Sequence, residues 1–88
     1  MIVFNLEQAQ QLVDFVNEQF CGLLHVEVHQ NAGGWLIAKM RMKHTHNLNR
    51  EFVFNPHAEV SENRIRFHAA VSDLAKDAAN WWRLRYQF

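Results

Sequence analysis

The stretch Leu23–Lys43, LLHVEVHQ-NAGG-WLIAKMRMK, decides the fold. Two runs of alternating apolar and polar residues flank Asn31-Ala32-Gly33-Gly34, a turn whose glycines can take the positive φ that tight hairpins use. Leu24, Val26 and Val28 fall on one face of the first run, opposite His25, Glu27 and His29. In the second run Leu36, Ala38, Met40 and Met42 share a face, and Trp35, Ile37, Lys39, Arg41 and Lys43 share the other. Side chains alternate across a strand, so one face becomes core and the other an outward platform.

Outward from this hairpin, residues 5–20 read as an amphipathic helix. Asn5 is placed as N-cap, with Gln8 three residues on completing a capping box. Leu6, Ala9, Leu12, Val13, Val16 and Phe20 make its apolar stripe, and Gly22 is placed to end it in a left-handed turn. The lead-in Ile2-Val3-Phe4 is expected to pack over a helix end. Downstream, His44–Asn49 reads as loop, and Arg50–Phe54 alternates until Asn55-Pro56 stops it. Ser61–Asn63 reads as a turn. Arg64–His68 alternates again with Ile65 and Phe67 inward, which favours a fourth strand over one long helix from Ser61 to Arg85. A last helix is expected over Ser72–Tyr86, with Val71, Leu74, Ala75, Ala78 and Trp82 buried.

The expected fold is therefore one α+β domain over residues 1–88, in the order α-β-β-β-β-α. An antiparallel sheet of three to four strands carries the N-terminal and C-terminal helices on one face, making a two-layer sandwich. This order resembles the α-β-β-β-α of the double-stranded-RNA-binding fold, in element order alone. That family sets lysines at the start of its second helix to meet phosphates. The corresponding stretch here, Ala69-Ala70-Val71-Ser72-Asp73-Leu74, has an acid and no base.

Composition bounds the function. The chain has 9 Lys and Arg against 9 Asp and Glu, so no global charge draws it to nucleic acid or membrane. The distribution is uneven, because residues 1–38 hold acids and no Lys or Arg, while Lys39–Arg50 holds four bases and no acid. No apolar run is long enough to span a bilayer, and Met-Ile-Val-Phe-Asn lacks the features of a signal peptide. The single Cys21 permits no intrachain disulfide, and the expected compartment is the cytoplasm.

The open sheet face is the candidate site. It is expected to carry His25, Glu27, His29, Trp35, Ile37, Lys39, Arg41, Lys43, Val53, Arg64, Arg66 and His68. An outward Trp-Ile pair is costly in water unless a partner covers it, and Trp and Arg are enriched at hot spots. Neighbouring Trp81 and Trp82 lie about 100° apart on a helix, so either this end is sandwiched between helix and sheet or one tryptophan faces a partner, and a homodimer through the aromatic end is a concrete expectation.

The leading reading is a small non-catalytic interaction domain, an accessory or inhibitor-type factor, that binds a protein through Trp35, Ile37, Lys39, Arg41, Lys43, Arg64, Arg66 and Trp81. The alternative is a nucleic-acid module that sets these bases on phosphates and stacks bases on Trp35. A metal or ligand role for the six histidines ranks third, because their spacing matches no ligand pattern. No cofactor is expected. Neither a glycine-rich phosphate loop nor a nucleophile–base pattern around Cys21 points to an enzyme.

Overall fold

A computed structural model describes residues 3–43, 45 and 48–86. Five elements follow in order: α1 (Leu6–Phe20), β1 (Leu24–Gln30), β2 (Leu36–Met42), β3 (Asn49–Val53) and α2 (Val60–Tyr86). The capping box forms as its residues dictate. Asn5 Oδ1 accepts from the Gln8 amide at 3.0 Å, and Gln8 Oε1 accepts from the Asn5 amide at 2.9 Å. At the other end Cys21 (φ 49°) and Gly22 (φ 87°) both take left-handed conformations, and the Leu23 amide returns to the Phe20 carbonyl. The reversal lays α1 directly back over β1.

The hairpin has the expected register. Leu24 lies opposite Met42, Val26 opposite Met40 and Val28 opposite Ala38. Its turn is held by Asn31, whose side-chain oxygen accepts from the amides of Gly33 and Trp35 at 2.9 and 3.0 Å. Only Gly34 of the two turn glycines has a positive φ, at 85°. β3 adds antiparallel to β2, so the sheet order is β1-β2-β3. Leu24, Val26, Leu36, Ala38 and Met40 face the helices, where Ala9, Val13, Val16, Phe67, Val71 and Leu74 complete the core. Phe4 closes one end against Phe54 at a ring separation of 5.1 Å, and the Val3 and Phe4 amides donate to the Pro56 carbonyl.

The expected fourth strand does not exist. Arg64–His68 belongs to α2, a helix of 27 residues and about 40 Å. Among the described residues the sheet has three strands, and the order is α-β-β-β-α. The buried positions Asn63, Phe67, Val71, Leu74 and Ala78 recur at helical spacing, whereas Ile65, expected inward, is 67% exposed. No glycine or proline follows Pro56, so nothing interrupts the helix. Two further positions depart from the expected burial: Leu6 is 44% exposed, and Trp82 is 38% exposed rather than part of the buried stripe.

Asn63 fixes where that helix starts. Its side-chain oxygen accepts from the Asn55 amide, and its amide group reaches the carbonyls of Asn55, Ala58 and Glu59, at 2.9–3.3 Å. The residue is 1% exposed, so its own amide group must be satisfied by protein, and it meets that need with these backbone groups. Asn17 does similar work on the opposite side of the sheet. Its side chain donates to the Val26 carbonyl at 2.9 Å and accepts from the Val26 amide at 2.8 Å. An α1 side chain thereby occupies the edge of β1 where another strand would pair.

Replacing Asn63 by Ala removes this set of buried and part-buried hydrogen bonds and leaves a cavity, and should cost about 2–3 kcal/mol. In a domain of this size that lowers Tm by roughly 10–20 °C, measurable by thermal denaturation. A change of under about 2 °C would show that the network does not hold the β3–α2 connection.

Candidate functional site

With both helices on one face, the other face of the sheet is open. The ladders align its side chains in rows: His25–Arg41–Asn49, then Glu27–Lys39–Glu51, then His29–Ile37–Val53. Trp35 stands two residues before Ile37 with the same facing and extends the last row. That end is apolar, with Trp35 48% and Val53 53% exposed. Trp35 is held firmly for so open a residue. Its amide is bonded to Asn31, and its ring lies where a Cβ on Gly33 would meet it at 3.4 Å.

Glu27 and Lys39 are paired within the face. Glu27 accepts from both neighbouring imidazoles, at 3.0 Å from His25 Nε2 and 3.2 Å from His29 Nε2. These hydrogen bonds, His25 first, hold its carboxyl below the ordinary carboxylate range. Lys39 lies 4.0 Å from Glu51, with Glu27 its ladder neighbour on the other side. Arg41 and His25 flank a shallow depression of about 260 Å³ with Glu27, Lys39 and Glu51. Lys43 joins Arg41 and His25 beside Gly22 at the end of the sheet.

Three expected members of this face sit elsewhere. Arg64 and Arg66 are exposed on α2, behind the sheet, because the segment that carries them is helical. His68 follows them into the cleft between α1 and α2, where it stacks on Phe15 at 6.1 Å. The helix begins with Val60-Ser61-Glu62-Asn63, which again offers an acid and no base. Trp81 lies on the last turns of α2, edge-on to Trp82 at 5.1 Å, well away from Trp35 in the chain and on the helical layer. Leu84 beyond them is 74% exposed.

The α1–α2 cleft was not foreseen from the sequence. It is lined by Gln11, Leu12, Phe15, Arg64 and His68, and Phe15 is half exposed within it. Its only signal was that Phe15 broadens the helical apolar stripe beyond what one sheet face can cover. Among the described residues no three His, Cys, Asp or Glu side chains gather as a metal-ligand set. The His44 and His46 pair lies outside the described residues. Among those same residues no helix is long and apolar enough to cross a membrane.

Comparison of the chain with protein families, curated proteins and solved structures finds no match.

Because the folded pKa of Glu27 is lowered, its ionisation stabilises the fold above the ordinary carboxylate range. That contribution disappears as pH falls through the lowered value. In ¹³C-detected titration the Glu27 carboxyl should titrate below a glutamate in an unstructured peptide, and the double substitution of His25 and His29 by Ala should move it upward towards that peptide's value. A Glu27 midpoint equal to that of the peptide in the unmodified protein would refute the assignment.

Proposed function

We propose that this chain is a non-catalytic protein-interaction domain that binds a partner protein through the open face of its sheet. The observation that carries the reading is the apolar corner formed by Trp35, Ile37 and Val53. A half-exposed tryptophan fixed by its own turn gives up little conformational entropy on binding, and its indole supplies a large contact area. The rows of mixed charge beside it resemble the polar rim that surrounds such anchors in protein interfaces.

Nucleic acid fits this surface less well. Phosphate tracking needs uncompensated cations, and this face holds Glu27 and Glu51 on either side of Lys39. Arg64 and Arg66 are not available to it. Arg41 and Lys43 remain as bases at one end only.

The test is a partner captured on immobilised protein and then titrated against variants. Trp35→Ala should weaken its binding by tenfold or more, in keeping with a hot spot of about 2 kcal/mol, while lowering Tm by less than about 4 °C. Substituting Leu84 by Ser on α2 should leave affinity unchanged. An unaltered affinity for Trp35→Ala would overturn the reading. So would amide shifts on Arg41 and Lys43 with short RNA or DNA that fade steeply as salt rises.

A further inference from the structure

The two edges of the sheet are treated differently. The Asn31 amide bonds to Trp35 and the Lys43 amide to Leu23, so odd-numbered residues of β1 pair with β2 and even-numbered ones point outward. Asn17 takes the outward groups of Val26. On the other side the Phe54 amide bonds to Leu36 and the Met42 amide to Leu48, so even-numbered residues of β3 pair with β2. The N–H and C=O groups of Glu51 and Val53 therefore point away from the sheet, and no described residue hydrogen-bonds to them. An unplugged edge is a template for another strand.

α2 lies over β2 and β3, with Asp77 bonded to Arg50 of β3 and the Phe67 ring tilted against Phe52 at 5.7 Å. Arg66, Ala70, Asp73 and Asp77 recur at i, i+4, i+7 and i+11, so the stripe that includes Asp77 runs along the β3 side of the helix. This stripe is basic at its start, small in its middle and acidic later. Arg66 and Asp73 are both exposed. Such a stripe complements a copy of itself running the other way.

We infer that β3 is a two-fold dimer edge, pairing antiparallel with β3 of a second copy to make a six-stranded sheet. Centring the pair on Phe52 sets Glu51 beside Val53 of the other copy and avoids facing two carboxylates. Strands ~4.8 Å apart would then hold the two α2 helices about 10 Å apart, within ordinary helix packing. Ala70 admits the approach, and Arg66 meets Asp73 of the second copy twice over. The symmetry also closes the β3 edges against each other, leaving among the described residues the two β1 edges, where Asn17 occupies the outward groups of Val26. Both open faces lie on the same side of the joined sheet, and this inference does not rest on what they bind.

Light scattering over micromolar to millimolar concentration should show the mass rise from 10.4 kDa towards twice that value. Amide exchange at Glu51 and Val53 should slow over the same range. Arg66→Asp should raise the dimer dissociation constant about tenfold or more, and adding Asp73→Arg to it should restore the dimer. Both residues are exposed, so neither change threatens the fold. A mass of 10.4 kDa throughout would overturn the inference. A dimer indifferent to Arg66→Asp but lost with Leu84→Ser would also do so, placing the contact at the aromatic end of α2.

Discussion

The hydrogen bonds of Asn63 govern this architecture. After β3 the chain meets Asn55-Pro56, and proline ends the ladder without deciding where the chain goes next. Asn63 decides it, by gathering the backbone groups of Asn55, Ala58 and Glu59 around one buried amide. That closure starts α2 beneath the core face and aims Phe67 at Phe52 and Phe54, at ring separations of 5.7 and 5.3 Å. A chain that turned instead into a fourth strand would have used the edge of β3. The sheet would then have been wider, its free edge elsewhere, and Arg64 and Arg66 on its surface.

The sequence makes some of this legible, and the reasons differ by element. The hairpin is readable because its period is two over both runs and its turn residues have a specific task. α1 is readable because a capping box and a left-handed stop bracket a single apolar stripe. The start of α2 is not. Over Arg64–His68 a five-residue window fits period two as well as period 3.6, since Phe67 is inward in either case. The deciding position was Asn63, whose polar side chain breaks the apolar stripe that it belongs to. The signal that was available is longer in range: no glycine or proline after Pro56, and a stripe through Phe67, Val71, Leu74 and Ala78.

The same limit applies to the surface. Trp35, Ile37 and Lys39 could be assigned to the outer face because facing within a strand is a local property. Whether Lys39 is a free cation is not local, since it depends on Glu51 arriving from another strand. Asn17 illustrates the point more sharply. In the sequence it is one polar residue on the solvent side of a helix, and in the fold it satisfies both backbone groups of Val26. Polar residues that complete another element's backbone carry no periodic mark, so pattern reading passes over them.

These satisfied groups also shape what the open face can recognise. Glu27 is committed to two imidazoles, Lys39 to Glu51, and Asn31 to the turn beneath Trp35. A partner that took over one of these polar groups would have to break an existing contact, so exchange there yields little net free energy. Trp35 and Val53 are different, because water is their only alternative neighbour on that side, and covering apolar area gains roughly 25 cal/mol per Å². Affinity on this face must therefore arise mainly at its apolar corner, while the charged rows set orientation and exclude partners of the wrong polarity. Raising the cationic character of the face would demand losing Glu27 or Glu51, and each of those is already bound to a neighbour on the sheet.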